Sequence, residues 1–563
     1  MFGRIRRLFG RDGSEDAAEA TPFDGESAGH RYRLHREEQV LALSVPEDAF
    51  GVPLRPCLPE TEYREFVSGS VLVQKAKQFD DGLCAAVELA AQRGAGGFLG
   101  KHSLLSDLRR ILSGDGDARS VIAAAAALGS DAEQLGVSLP LGERARQVRD
   151  AFLAEELRAK PLGFYTWTDE LGRIFRQDRL LQENIAESED LLDTARAIHG
   201  APELRAAYEA MLGLVERLTN PLSRPDFRPM LRALDAPGSA LPAPAELSFG
   251  PPSISHESEL VKRLYVDKPI PEGFDLIREV IAGVRAGTLD LAPREVSGWY
   301  DVQTWALETL VAPERGTEAA KLVLDPSYLK HLEEMFRGIL ALTRETHVKQ
   351  LEMMFAGCAP QPVVKIFVRP QLTVEPLVTH YLRRADGYRF VRGILLDTFG
   401  ASDLDTLHRL RATGPVTEGL GTELESMIHL FDGAAATAMR ELGMPTSWDA
   451  SPFKRWAASD DPDVHADARM MVPLYFDIPR GKVKVLAFLG WSERPMQVSF
   501  VTPPRVELLD GNPRATVELV PGSYPIASPV VVELLVSRLL DRDEFRRLCD
   551  AHGTRERIVA ALA

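Results

Sequence analysis

Cysteine is scarce in these 563 residues: four thiols, Cys57, Cys84, Cys358 and Cys549, with no close pair among them. That scatter excludes a disulfide framework and the paired thiols of a structural zinc site, and a reducing cytosol is the simplest fit. Long apolar runs are missing as well. The longest, Val121 to Leu128, is mostly alanine and far short of the ~18 residues that span a bilayer, so no transmembrane segment is expected. The amino terminus lacks the apolar centre of a secretory signal. Positive charge is in deficit, with 66 Lys and Arg against 82 Asp and Glu and a net charge of −16. Nucleic-acid binders usually carry a basic surplus, so no such partner is expected.

Several catalytic signatures fail at a required position. There is no Gly-x-Ser-x-Gly elbow, and no serine or cysteine has an assignable base, so nucleophilic hydrolysis has no positive support. The zinc-protease pattern His-Glu-x-x-His is absent. The cluster from Gly94 to Ser103 invites a phosphate-loop reading, but Ala95 stands where the first glycine belongs and His102 where Ser or Thr must follow Lys101. The segment before it is helical, whereas phosphate loops follow a strand. A flexible glycine link with a solvated Lys101 is the plainer expectation.

What is present reads as an ordinary globular chain: 45% hydrophobic and 26% charged residues. At roughly 150 residues per domain, the length implies about three or four folding units. Residues 1–30 read as a disordered tail. Its start sets Phe2, Ile5 and Phe9 opposite Arg4, Arg7 and Arg11, the pattern of a short basic amphipathic peptide that could touch a membrane surface or a partner. Acidic residues follow at once, so a frayed tail is the stronger reading.

Residues 31–235 follow as a helical N-terminal domain, opened by a strand-like run at Gln39–Val45. Residues 236–255, with Pro237, Pro242, Pro244, Pro251 and Pro252, read as a linker or a long ordered loop. Residues 256–460 are a second helical stretch. Its strongest element runs from Ser327 to Phe355, and a lone strand-like run occupies Val363–Val368. Residues 461–563 turn to β-branched and aromatic runs at Met471–Ile478, Val483–Leu489 and Met496–Val501. Pro529 to Ala563 is expected to close the chain as two helices split near Asp541. The expected fold is α+β: predominantly helical, with a C-terminal antiparallel β-sheet and closing helices, the 461–563 part packed with 256–460.

The densest chemistry lies at Asp460-Asp-Pro-Asp-Val-His-Ala-Asp467. In an extended backbone Asp461, Asp463, His465 and Asp467 leave one face. Such a face could hold a divalent metal, with calcium, magnesium or manganese favoured by the oxygen ligands, or work as an acid–base pair. The bland alternative is an acidic turn whose carboxylates cap backbone amides. His347, on the apolar side of its helix between Glu345 and Glu352, is a further candidate base, though a lone core histidine is commoner. Ser255 is placed to cap a helix starting at His256. Trp299, Tyr300 and Trp305 are more readily core than cleft.

Three pieces in order, Trp-Tyr-Asp…Trp-Ala-Leu-Glu (299–308), Val-Glu-Pro (374–376) and Asp-Val-His-Ala-Asp (463–467), resemble an uncharacterised bacterial family known only as a domain of unknown function. The resemblance covers about the second half of the chain. Ala466 departs from the threonine common in that family, and the secretion or lipoprotein signals of some members are missing. The resemblance brings no activity or cofactor with it, and draws attention to His465. The leading expectation is a cytoplasmic protein-binding or scaffold protein. The alternative is a metal-assisted hydrolase, with Asp463, His465 or His347 as base and Asp461, Asp463, His465 and Asp467 as ligands.

Overall fold

The computed structural model describes residues 23–27, 30–35, 40–46, 62–112, 116–130, 141–185, 189–236, 238, 247–266, 269–270, 275–346, 372–465, 471–477, 481–502, 504–509 and 522–562. Helix makes up 58% and strand 15%, an α+β fold. The chain opens with β1 (Phe23–Ser27), β2 (His30–His35) and β3 (Leu41–Ser44). Helices follow, among them α1 (Gly69–Arg93), α2 (Lys101–Ile111), α3 (Asp117–Gly129), α4 (Asp169–Leu181), α5 (Pro202–Leu218), α6 (His256–Leu264), α7 (Leu276–Ala286) and α8 (Trp299–Trp305). Next come β4 (Leu322–Leu324), α9 (Pro326–Thr346), α10 (Val378–Phe399), the hairpin β5 (Leu410–Arg411) and β6 (Gly414–Pro415), α11 (Leu420–Glu441) and α12 (Ser451–Ala457). Strands β7 (Met471–Asp477), β8 (Lys482–Phe500), β9 (Arg505–Leu508) and β10 (Gly522–Val536) precede α13 (Arg542–His552) and α14 (Arg555–Leu562).

The main sheet runs β10-β8-β3-β4, with β7 beside the first part of β8. The runs expected as two strands, Val483–Leu489 and Met496–Val501, are one 19-residue strand. A register shift opposite Val530 and Val531 lets it bend at Gly490 without ending. The C-terminal expectation is corrected: residues 529–536 are not helix but the end of β10, paired with β8, and both closing helices lie after Asp541, broken at Gly553. Three consecutive valines after Pro529 favour an extended backbone, and β8 supplies the partner. The expected split near Asp541 is the start of α13, where the Asp541 carboxylate accepts the amide of Glu544 at 2.7 Å. Phe545, Cys549 and Ile558 of the closing helices pack on Val483, Val485 and Val532.

The chain's two ends meet in these sheets. β3 pairs antiparallel with β8 and parallel with β4, and β2 pairs with β9. One cluster of buried apolar side chains extends from Leu41 to Ala527, with members on both sides of residues 236–255. Within that proline-rich stretch, Leu247 and Phe249 are fully buried, and Gly250 and Ile254 donate their amides to the carbonyls of Leu181 and Pro221. Ser255 does cap α6, accepting the amide of Ser258 at 3.2 Å. The run at Val363–Val368, residues 347–355 of the expected helix and the N-terminal peptide lie outside the described residues.

Helix α1 lies in the core. Twenty of its 25 residues are buried, because apolar and alanine side chains fall on every face. Two glycines mark close approaches of neighbouring elements. A Cβ on Gly82 would sit 2.2 Å from the Leu410 carbonyl, so the β5–β6 hairpin rests directly on the helix backbone. A Cβ on Gly338 would lie 2.1 Å from Pro529, which lets α9 press against β10.

Candidate functional site

Inside its apolar surface α1 carries Lys75, Lys77, Asp80 and Asp81, each at least nine-tenths buried. A buried charge is costly unless another element brings it a partner. Lys75 Nζ meets Asp461 at 2.8 Å and Asp463 at 2.7 Å. Asp463 also takes Arg409 Nη2 at 3.1 Å and Arg411 Nε at 2.7 Å. Arg409 bonds Glu423 at 2.9 Å and lies over the Phe79 ring, 5.1 Å from its centroid. Three cations thus face three carboxylates. Burial alone would raise the Asp463 carboxyl, but Lys75 and Arg409 outweigh it and hold it well below the usual carboxylate range.

Over residues 461–465, the described part of the expected acidic face, the extended backbone is replaced by a turn. The Asp461 carboxylate accepts the amide of Asp463 at 2.9 Å, and its carbonyl accepts the amide of Val464 at 3.1 Å. Proline at 462 and this side-chain-to-backbone bond favour the turn over a strand. Asp461 and Asp463 converge on Lys75, and Asp461 also accepts the Trp456 indole N–H at 2.8 Å. His465 is half-buried beside Tyr63, ring centroids 6.0 Å apart, and its Nε2 has no partner among the described residues. Asp467 and His347 lie outside the described residues. Among the described residues no group of three or more His, Cys, Asp or Glu is arranged to hold a metal ion.

On another side of α1, Asp80 accepts from Arg384 Nη2 at 3.0 Å, Tyr388 Oη at 2.8 Å and Gln303 Nε2 at 3.0 Å. Lys77 pairs with Asp81, and with Glu345 of α9 at 3.0 Å. Lys77, Asp80, His380 and Arg384 line a hollow with room for about one water molecule. Burial pushes the His380 imidazole down to about 4, although its Nδ1 bonds the Ala306 carbonyl at 2.7 Å. It is therefore neutral at physiological pH.

A third group sits at the head of α1. His331 Nδ1 lies 2.9 Å from Ser528 Oγ, and its Nε2 lies 3.3 Å from Glu375 Oε1. Glu375 further accepts Tyr328 Oη at 2.6 Å and the Gly69 amide at 2.7 Å. Hydroxyl, imidazole and carboxylate in line is the order acyl transfer requires. Here Ser528 is 4% exposed and His331 and Glu375 are fully buried, so in this arrangement no substrate carbonyl reaches the hydroxyl. The bonds instead tie β10, α9 and the 372–377 segment to α1.

Lys101, expected in solvent, is buried and bonds Asp178 at 2.6 Å, with Glu88 at 3.6 Å. Its glycine-rich approach closes as a tight link between α1 and α2, with an Ala95–Phe98 bridge. Trp299 and Tyr300 are core, while Trp305 stacks under Arg383 at 4.2 Å. The three pieces at 299–308, 374–376 and 463–467 all grip α1, through Gln303 on Asp80, Glu375 on Gly69 and Asp463 on Lys75. The charges of α1 and their partners Arg384 and Arg409 were not singled out from sequence. Their one signal is a pair of lysines and a pair of aspartates inside a segment apolar on all faces. No protein-family model, curated protein or solved structure matches this chain.

Proposed function

We propose that this chain is a cytoplasmic binding or scaffold protein that presents helical faces and an acidic surface to a partner protein. The observation supporting this reading is that the densest acid in the sequence, Asp461 and Asp463, is neutralised by Lys75, Arg409 and Arg411 of the same chain. Charge so used fixes the fold and leaves the net −16 of the chain for recognition. A basic surface is the complementary partner. The second reading, a metal-assisted hydrolase at 461–467, draws on the unpartnered, buried Nε2 of His465, two and four positions after Asp463 and Asp461 in the sequence. It requires a divalent ion to displace Lys75 from both.

Capture of partners on the immobilised full chain, at low and high ionic strength, tests the first reading. It requires a basic protein that is retained at low salt and released by high salt. Binding of magnesium, manganese or calcium that is lost in His465→Ala, with no salt-sensitive partner, would reverse the ranking.

A further inference from the structure

The glycine-rich link between α1 and α2, which fails as a phosphate loop, delivers Lys101 to two carboxylates. A Cβ on Gly100 would lie 2.4 Å from the Arg93 carbonyl carbon and from the Gly94 amide nitrogen, and Gly94 and Gly96 have φ of 92° and 57°. The chain therefore doubles back after α1. Lys101, at the head of α2, has its Nζ 2.6 Å from both oxygens of Asp178 on α4 and 3.6 Å from Glu88 Oε2 on α1. Glu88 Oε1 accepts Tyr165 Oη at 2.8 Å, from the 3-10 turn Gly163–Thr166. The lysine side chain is 7% exposed, while both carboxylate side chains keep 27% open, so protons reach them from solvent. Among the described residues, Lys101 and Glu88 are the charges that act on Asp178; neither His102, beside Lys101, nor the Arg93–Glu170 pair does so. Cys84, one turn before Glu88, is a buried, un-ionised thiol, and Tyr165 stays a phenol. One ammonium thus serves two carboxylates that belong to different helices.

We propose that Glu88, Asp178 and Lys101 form a pH-sensitive clasp holding α2 against α1 and α4, tightest when one proton sits on the two carboxylates and looser once it leaves. This goes beyond the binding reading and stands or falls separately from it. The element restrained is α2, pivoted on the glycine link and anchored by the fully buried Leu104, Leu105 and Leu108. Burial, helped by the Glu88 charge, pushes the Asp178 carboxyl up to about 6 against the pull of Lys101, and Lys101 itself stays charged. The sign follows from linkage. Asp178 has its ordinary value of 3.8 when the clasp is open and about 6 when closed, so the closed form binds the extra proton between those limits. Opening therefore becomes easier as pH rises through that window and levels off above it.

Hydrogen exchange of the full-length chain, corrected for intrinsic exchange, reads this directly over residues 101–111. The protection lost in the wild type relative to Asp178→Asn should grow by up to about tenfold per pH unit between roughly pH 4 and 6, then stay constant. Taking the difference removes the contribution of the other carboxylates, which both proteins share. Glu88→Gln leaves Lys101 to Asp178 alone, so the slope should survive but move to lower pH. A wild-type profile parallel to that of Asp178→Asn throughout would overturn the clasp. A Glu88→Gln profile that coincides with wild type would show that the two carboxylates do not compete, and would overturn it as well.

Discussion

At the scale of single residues, the interior charges act as cross-links between distant parts of the chain, and their energetics are those of buried pairs. Removing one member leaves the other uncompensated, which typically costs about 3–5 kcal/mol. Lys101 separates two accounts. Were it a phosphate-binding lysine, Lys101→Met would leave the fold intact. Because it neutralises Asp178 and Glu88, the variant should lose about that amount in denaturant unfolding, and unchanged stability would contradict the pairing. His380 gives a pH prediction. Its folded value of about 4 lies below its ordinary 6.5, so the unfolded chain takes up a proton that the folded one refuses. Stability from this residue is lost as pH falls from about 6.5 to about 4. His380→Gln should flatten that acid limb, as read by unfolding free energy against pH.

At the scale of elements, what could be read from sequence was periodicity, and what could not was pairing. The helix from Ser327 and the strand at Gln39–Val45 announce themselves by spacing, and both are present over their described parts. Residues 530–536 misled because a short apolar run fits a helix face or a buried strand equally well, and only β8 decides. The acidic turn was half legible. Its residues stood out, but alternation implied an extended face, and nothing local disclosed that Lys75, nearly 390 positions away, would claim both carboxylates. Close approach leaves a different trace, visible at Gly82. Gly82→Ala should push the β5–β6 hairpin off α1 and carry Arg409 with it, at a cost of about 1–3 kcal/mol. Limited proteolysis in the 410–415 region should rise accordingly, whereas a hairpin as protected as wild type would show that the contact yields without cost.

For the molecule as a whole, the prolines at 236–255 suggested a division that the buried side chains cross. Leu41 and Leu43 near the amino terminus pack in the same cluster as Val498 and Ile526 near the carboxyl terminus, and α1 is bonded by segments from both halves. Calorimetry should therefore show residues 62–235 and 256–465 melting together, and two well-separated transitions would contradict the shared core. Removal of residues 1–46 takes away β3, which pairs with both β8 and β4, and should lower that transition.

The central claim is that the acidic turn belongs to the fold, held ionised by three cations of its own chain. Unfolding of Asp463→Asn, measured with and without divalent ions, tests it most directly. The account predicts a loss of about 3–5 kcal/mol and no effect of magnesium, manganese or calcium on either protein. Wild-type stability in the variant, or a divalent ion that stabilises the wild type and not the variant, would contradict it.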